Sequence, residues 1–397
     1  LLISEDSVSL LCSHVSTVPV LEWSIKETRP SSTASLAEHI QEALNLSEEH
    51  QAETVQIDSA TAQLAAFSPG NVALRSIRSL AHGSPIADKV IWQTAFRLSE
   101  GLRSLFNRPE SVALLTELYT DNSPYWRKVL NYCADGNLRS VLDEYLFQLH
   151  SETGSKELDG KTLENMVETA VGALTFKTAN YTARTADGER QKIRFSSGFA
   201  VRYGSAQSSE GESSTARMSE VRGAFNSPFA PFVLASTSVG QEGIDFHWWS
   251  HSVVHWNVPS NPVDFEQREG RVNRFGGHAV RKNIAQKHWA DILEGNDPFA
   301  WRDASSAAEA EAEAAELGDF YPWWMYPGDA RINRIIAKYP LSKDVARYER
   351  LKDALVSYRL ALGQPRQEDM LELLDKRGID GSTIPPIDLR APKRQTE

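Results

Sequence analysis

Residues 232–277 read FVLASTSVGQEGIDFHWWSHSVVHWNVPSNPVDFEQREGRVNRFGG, and this stretch decides the fold. An apolar run at 232–235 predicts a buried strand, and a second apolar run at 253–256 predicts the next strand. A polar, glycine-containing segment separates them, and a turn with two prolines precedes a polar helix predicted over 263–274. This order of strands, loops and helix is typical of an α/β sheet that binds ligands at the carboxyl ends of its strands.

The predicted helix has two unlike edges. At ~100° per residue, four polar or small residues fall within one arc, while Phe265 and Val272 fall on the opposite side. The cationic edge consists of Gln267, Gly270, Arg271 and Arg274. Two arginines one turn apart beside a glutamine suit the charge that spreads over a transferring phosphoryl group, and a glycine on that edge suits the close approach of another surface.

Two segments carry a resemblance to a known family. Residues 267–274, QREGRVNR, resemble motif VI of superfamily 2 helicases and translocases, and residues 236–245, STSVGQEGID, are similar to their motif V. The sequence around these two motifs resembles the Snf-type branch most closely. Within that branch it is most similar to the bacterial ATPases that act on RNA polymerase. The resemblance implies α/β architecture: a RecA-like parallel-sheet lobe, the second lobe of a nucleic-acid-dependent ATPase, flanked by mainly helical N-terminal and C-terminal segments.

The family mechanism implies a role for each matching residue. ATP with Mg²⁺ lies between two lobes, and the N-terminal RecA-like lobe of the same protein supplies the phosphate loop and the Mg²⁺ ligands. The catalytic residues are then Arg271 and Arg274, as arginine fingers. The nucleotide-binding residues are Gln267, Gly270, Gly243 and Asp245, of which Asp245 is expected near the ribose. The residues that contact nucleic acid, with DNA as the expected track, are Ser236, Thr237 and Arg268.

Each assignment has a plainer alternative. Arg271 and Arg274 are also compatible with a surface helix in which Glu266 and Glu269 pair with them, and Asp245 is compatible with a turn. The hydroxyls of the motif V-like segment are compatible with satisfying a helix start. The histidines at 247, 251 and 255 have no carboxylate or cysteine at a ligand spacing, so we expect no metal site. We expect the neighbouring tryptophans to close the core, or one of them to stack on a base.

Composition restricts the class of protein. The chain has 397 residues, a formal net charge of -11 and two cysteines, which indicates a globular, cytoplasmic protein without a disulfide framework. The net charge argues against general coating of nucleic acid, and no apolar run reaches the ~20 residues of a membrane span. The densest positive patch is predicted where His278, Arg281 and Lys282 follow the arginines at 268, 271 and 274. The sequence contains no Gly-x-x-x-x-Gly-Lys-Ser/Thr loop and no starting Met. We therefore expect the first lobe to precede residue 1, and we interpret the carboxylate pair Asp143-Glu144 as a solvated helix face.

We predict three regions: a helical segment at 1–130, the second RecA-like lobe at 131–295, and a C-terminal helical extension at 296–397. Helices are predicted at 72–80, 91–106, 110–119, 137–150, 161–174, 304–317 and 344–362. The Ala/Glu-rich 304–317 helix has few apolar anchors and is predicted to be a spacer. Trp323 and Trp324 are predicted to pack between domains. The rival hypothesis is a degenerate helicase-like lobe that serves as a binding scaffold for protein or nucleic acid.

Overall fold

A computed structural model gives the fold. It describes residues 59–176, 180–184, 190–194, 220–235, 245–295, 297–318, 320–339, 341–361 and 374–379. The chain divides into two compact units, Leu1–Thr175 and Phe176–Glu397. Among the helices in these described ranges, none combines the length and the apolar character required to cross a membrane.

The described part of the first unit is helical. Its helices are α1 (Ser59–Phe67), α2 (Pro69–Leu80), α3 (Asp88–Phe106), α4 (Pro109–Leu118), α5 (Tyr125–Ala134), α6 (Asn137–Glu152) and α7 (Gly160–Leu174). Prolines start α2 and α4, where the missing N–H has no intrahelical partner to lose. The Asp159 side chain caps α7 by accepting a hydrogen bond from the Thr162 N–H at 2.7 Å.

The core of this unit lies around α3, which packs against α2 and α7, while α6 packs on α2. Fully buried side chains from these helices include Val72, Ile77, Leu98, Leu102, Leu142, Leu163 and Leu174. An exposed ion pair between Arg97 and Glu168, with Nε 3.0 Å from Oε1, also joins α3 to α7. The five helices predicted between 72 and 174 are confirmed. Four of them have the apolar spacing of a buried helix face, whereas α4 buries only Leu115.

The carboxylate at 143 differs from its predicted setting. Asp143 is only 7% exposed and accepts a hydrogen bond from the Arg139 Nε at 2.6 Å. Arg139 also donates to the Ser79 hydroxyl at 2.7 Å, so the pair links α6 to α2. Burial raises the pKa of Asp143. The prediction of a solvated face is therefore wrong for Asp143, since a buried carboxylate with an arginine partner is a packing element.

The second unit combines short strands with helices. An antiparallel hairpin joins β1 (Asn180–Arg184) to β2 (Arg190–Arg194), and a parallel pair joins β3 (Ser252–His255) to β4 (Asn333–Ile336). A helical segment occupies residues 220–225. The remaining helices are α8 (Pro262–Glu269), α9 (His278–Lys287), α10 (Trp289–Glu294), α11 (Ala300–Ala314) and α12 (Asp344–Ala361).

A small apolar cluster joins α8 and α12. Its buried members are Val258, Phe265, Leu351 and Leu355, and Ile336 of β4 and Tyr348 pack against it. The predicted strand near 253–256 and the predicted helix over 344–362 are confirmed within one or two residues. Strand β3 is one of the two strands of the parallel sheet. Helix α12 packs against β4 and against α8, which belongs to the segment that resembles motif VI.

The Ala/Glu-rich helix is not a spacer. Four residues of α11 are buried, namely Trp301, Ala304, Ala308 and Ala312, and α11 packs on α9 and α10. The three alanines recur every four residues, so they form one face on which neighbouring backbones approach closely. The spacer prediction is wrong because it counted large apolar anchors and gave no weight to a stripe of small ones.

Two further expectations differ from the fold. Residues 231–235 carry no regular secondary structure, and Phe232 and Val233 are 78% and 85% exposed, so the predicted buried strand is wrong there. No ladder among the described residues reaches that run to satisfy its backbone.

Trp256 is 73% exposed and does not close the core. The parallel sheet of the described residues has two strands, so a RecA-like sheet stays a prediction.

We predict opposite effects for alanine at two helical glycines of the first unit. A Cβ at Gly101 in α3 would lie 3.1 Å from the Leu174 Cβ and 2.9 Å from its Cδ1, whereas a Cβ at Gly172 in α7 meets nothing within 4 Å. Overpacking costs ~1–3 kcal/mol, against the ~1 kcal/mol that alanine gains in helix propensity. Urea unfolding should show Gly101→Ala as destabilised by about 1 kcal/mol.

The matched control is Gly172→Ala, which should raise the free energy of unfolding by about 1 kcal/mol because it gains helix propensity without a clash. Equal stabilisation by both substitutions would show that α3 and α7 are not in close contact at Gly101.

Candidate functional site

The segment that resembles motif VI begins as a helix and continues as a turn. The Asn261 Oδ1 caps α8 by accepting a hydrogen bond from the Val263 N–H at 2.6 Å. The helix stops at Glu269, and Gly270 occupies its C-terminal cap. The helix predicted through Arg274 is therefore wrong beyond Glu269. Its two arginines lie on a turn, so the arc drawn for a continuous helix does not describe them.

The turn is held by backbone hydrogen bonds. The N–H groups of Val272 and Asn273 both donate to the Glu269 carbonyl at 3.0 Å. The Arg271 carbonyl accepts from the Phe246 N–H at 2.8 Å, so a loop ahead of β3 takes the place of the next helical turn. The low helix propensity of glycine at 270 favours an end at this point.

Glu269 is the buried anchor of this turn. It is 4% exposed, and Arg334 of β4 binds it with both prongs, Nε to Oε1 at 2.5 Å and Nη2 to Oε2 at 3.0 Å. The His255 Nε2 lies 3.5 Å from the same Oε1, a distance of electrostatic contact without hydrogen-bond geometry. The His255 ring stacks on Phe265 at 4.2 Å. The pairing of Glu269 with Arg334 removes it as the partner of Arg271 or Arg274.

Arg274 and Asp245 form a direct ion pair. The Arg274 Nη2 is 3.0 Å from the Asp245 Oδ1, and its Nε donates to the Gly270 carbonyl at 3.1 Å. The two side chains are 39% and 30% exposed. The Asn226 side chain donates to the Asp245 carbonyl at 2.8 Å and fixes that end of the loop. Two residues that the sequence assigned separately, one to phosphate and one to ribose, therefore lie side by side.

Arg271 has a different environment. Its side chain is half-buried, and its Nε is buried without a hydrogen-bond partner among the described residues. A buried N–H donor of a guanidinium that lacks an acceptor costs free energy, and such atoms are uncommon in folded proteins. The arrangement is one that an anion with several acceptor oxygens would complete.

The remaining predicted site residues of the motif VI-like segment are Gln267, Arg268 and Gly270. Gln267 is exposed on α8. A Cβ on Gly270 would lie 3.2 Å from the Glu266 carbonyl, so the helix's own backbone crowds this position. Arg268 is held by the turn before α8: its Nη1 donates to the carbonyl and the side-chain Oδ1 of Asn257, at 2.9 Å and 3.2 Å. Burial lowers the pKa of Arg268.

Three predicted site residues, Ser236, Thr237 and Gly243, lie outside the described residues. Their assignments to nucleic acid and nucleotide stay predictions. The structure therefore describes the motif VI-like half of the site, together with Asp245 from the end of the motif V-like segment.

A fully buried arginine supports the turn from behind. Arg281 of α9 is 0% exposed, and it donates to the carbonyls of Gly276 and Trp248 at 2.7 Å and 2.6 Å. The rings of Trp248 and Trp249 lie 5.7 Å and 5.2 Å from its guanidinium carbon. Because these contacts consume its charge within the fold, Arg281 does not belong to the surface patch that the sequence indicated.

Histidines surround the same support. The Nδ1 atoms of His251 and His278 lie 3.1 Å apart, and the His278 N–H donates to the His247 carbonyl at 2.9 Å. Desolvation lowers the pKa of both His247 and His278 to about 4. Within the described residues, no group of three His, Cys, Asp or Glu side chains is arranged to hold a metal ion. The rings of His247 and His278 are therefore neutral at pH 7.

Part of the chain is similar to a known protein family. Residues 160–276 match the family model of the helicase conserved C-terminal domain. The match supports a helicase C-terminal lobe. It covers both motif-like segments and ends in the turn after Arg274. No curated protein and no solved structure gives a significant match to the chain.

Sequence reasoning missed the anchors of the helicase-like turn. Glu269 follows Phe265 by four residues, so it lies on the buried edge of α8, and this spacing was a usable signal for burial. Arg334 offered no comparable signal, because its partner is 65 residues away and lies on another element. Arg281 appeared to be one more residue of a basic patch, since burial of an arginine depends on tertiary contacts.

We predict that the free energy of unfolding decreases as the pH is lowered, through His247, which is buried, and His278, which is partly buried. Each has a pKa of about 4 in the fold and 6.5 as a free side chain. The unfolded chain therefore binds more protons between these values, and stability is lost as pH falls from about 6.5 to about 4. Each histidine should contribute roughly 2 kcal/mol to that loss by pH 4.5. Urea unfolding across this range measures it.

His247→Asn should flatten this part of the pH profile, whatever it does to stability at pH 7. The exposed His82 supplies the matched control, and His82→Asn should leave the profile unchanged. An unaltered slope in His247→Asn would contradict the buried, neutral state of this ring.

Proposed function

We propose that the helicase-like lobe is the C-terminal part of an ATP-dependent nucleic-acid translocase of superfamily 2, nearest to the Snf-type branch. ATP would be hydrolysed at the interface with an N-terminal RecA-like lobe of the same protein, which would hold Mg²⁺. The match to the helicase C-terminal domain supports the helicase part of this proposal. The chemistry at the site supports the assignment of a triphosphate.

The observation that carries this proposal is the buried Nε of Arg271. In the described residues it has no acceptor, although the carbonyl of the same residue accepts a hydrogen bond from the Phe246 N–H. A triphosphate presents several acceptor oxygens and negative charge, which a guanidinium binds through two parallel N–H groups. Phosphate binding would satisfy a donor that is otherwise costly to leave buried.

The Arg274–Asp245 pair suits the second contact. Both groups are about one-third exposed, so the pair is screened by solvent and contributes only ~0.2–1 kcal/mol to stability. An arriving γ-phosphate can therefore compete with Asp245 for the Nη groups at little cost, while the bond from Nε to the Gly270 carbonyl keeps the side chain oriented. Asp245 would then be released towards the nucleotide ribose, in keeping with its predicted role.

The two arginines would act by stabilising negative charge that grows during phosphoryl transfer. Because backbone bonds fix the turn before substrate arrives, little reorganisation is needed at the moment of reaction. Arginine fingers contribute on the order of 10³–10⁵ in rate in other phosphoryl-transfer systems. Gln267, exposed on α8 one turn earlier, would sense the γ-phosphate, and Ser236, Thr237 and Arg268 would contact the DNA backbone.

The test is DNA-stimulated ATP hydrolysis by the full-length protein. We expect Arg271→Ala and Arg274→Ala each to lower kcat by about 10³-fold. Arg271→Lys should recover little, because an ammonium has no planar fork of donors. The matched control is Arg350→Ala, since Arg350 is exposed on α12 and its Nε bonds only to the Ala346 carbonyl of its own helix among the contacts described.

Full DNA-stimulated turnover in both alanine variants would contradict the finger assignment and favour a scaffold role for this lobe. A DNA-binding assay on the same variants separates loss of chemistry from loss of the track, because the proposal expects Arg271→Ala to bind DNA as the unmodified protein does.

A further inference from the structure

An exposed aromatic surface lies beside the motif VI-like turn. It consists of Phe275, Phe320, Trp324 and Met325, which are 47%, 65%, 42% and 61% exposed. The rings contact one another edge to face or tilted: Phe275 and Trp324 have centroids 6.1 Å apart, and Phe320 and Trp324 have centroids 6.2 Å apart. We name these four residues the aromatic ledge. Contiguous exposed rings of this kind mark interaction sites more often than scattered single ones do.

The ledge is a fixed surface. The Trp323 carbonyl accepts a hydrogen bond from the Gly276 N–H at 2.8 Å, and the Trp324 N–H donates to the Phe320 carbonyl at 2.8 Å. The Trp323 indole N–H donates to the Glu309 Oε1 of α11 at 3.0 Å. Because these bonds set the backbone under the rings, binding on the ledge requires little ordering of side chains.

Acidic side chains border the ledge. Helix α11 runs beside it and carries Asp303, Glu309, Glu311 and Glu313 against a single basic residue, Arg302. Glu309 contacts the tryptophan next to the ledge, Glu313 lies one helical turn further on the same face, and Glu316 is exposed just past the helix end. Two cations lie near the ledge: Lys287 is paired with Glu311, and Arg274, which precedes Phe275, is paired with Asp245. Because each of these cations has its own carboxylate, neither offsets the acidic border.

The charge decides which occupant fits. A nucleic acid would bring phosphates against three exposed carboxylates, and a second copy of this chain would bring an equal acidic border. A polypeptide segment with apolar side chains on one face and lysine or arginine around them meets both features at once. We propose that the aromatic ledge and its acidic border dock a basic amphipathic segment of a partner protein.

The site would follow the usual anatomy of protein interfaces. Buried aromatic rings would supply the anchors, and the carboxylates of Glu309, Glu313 and Glu316 would form a charged rim that selects the partner and speeds association. Trp324 is the expected centre, because it contacts both Phe275 and Phe320 and is the largest ring of the four.

The experiment titrates the full chain with a labelled amphipathic peptide of about 18 residues, made of leucine and lysine at helical spacing, and reads fluorescence anisotropy. We expect saturable binding that weakens as salt rises. The paired substitution Phe320→Ser with Trp324→Ala should weaken binding by about ten-fold or more. Glu313→Lys with Glu316→Lys should weaken it through charge alone.

The matched control is Trp126→Ala, which removes an exposed tryptophan from the first unit and should leave the affinity unchanged. Circular dichroism and urea unfolding of each variant show whether the fold is retained, and the charge-reversal pair tests the surface independently of the rings. A peptide of leucine and glutamate should not bind.

Three outcomes would overturn the proposal. The first is equal affinity of the ledge, charge-reversal and control variants for the basic peptide. The second is competition for the ledge by duplex DNA, and the third is concentration-dependent self-association in sedimentation that the ledge substitutions abolish. None of these readouts depends on ATP hydrolysis, so the docking proposal and the proposed function fail separately.

Discussion

The buried ion pair between Glu269 and Arg334 is the constraint on which the helicase-like site depends. A carboxylate that is 4% exposed must be paired, since desolvation of an isolated charge costs more than a domain's stability can absorb. Arg334 meets that requirement from β4, where it lies opposite Val253 of β3 in the parallel register. The pair therefore joins the last residue of α8 to the sheet, and the guanidinium also covers the Phe265 ring at 4.7 Å.

The position of the arginines follows from this anchor. Gly270 directly follows Glu269, so the chain leaves the anchored helix end within one residue and folds into the turn that carries Arg271 and Arg274. Phe246 holds the turn from one side through the Arg271 carbonyl, and Arg281 holds it from behind through Gly276. Backbone and buried groups fix the turn. Of the two guanidinium groups on the turn, that of Arg271 has a buried Nε without an acceptor among the described residues, and that of Arg274 forms a partly exposed ion pair.

Sequence periodicity was sufficient for much of the fold and insufficient for the details of the site. Five helices of the first unit and α12 follow from apolar residues at helical spacing, and β3 follows from a short apolar run. Helices α1 and α5 were not predicted. The end of α8 does not follow from spacing, because it depends on a tertiary bond to the loop at Phe246. The packing of α11 also escapes prediction, because its contact face is made mostly of alanines, and each alanine buries little apolar area.

The candidate site shows the same division. The motif-like pattern identified Arg271, Arg274 and Asp245, but their distances depend on which charges the fold buries. The plainer alternative paired Glu269 with the arginines at the surface. Glu269 is instead the anchor beneath them, because Arg334 reaches it from an element that is distant in the sequence. Exposure of Trp256, like burial of Arg281, is set by neighbours that local pattern does not reveal.

The most direct test of this account is a double-mutant cycle on the anchor, with Glu269→Gln, Arg334→Gln and the combined variant measured by urea unfolding. Each single change should cost ~3–5 kcal/mol, because it leaves one buried charge without its partner. The combined variant should cost little more than either single change, which corresponds to a coupling energy at or above the ~3 kcal/mol typical of strongly interacting neighbours. Additive losses, or single losses below about 1 kcal/mol, would contradict the claim that this pair fixes the helicase-like turn.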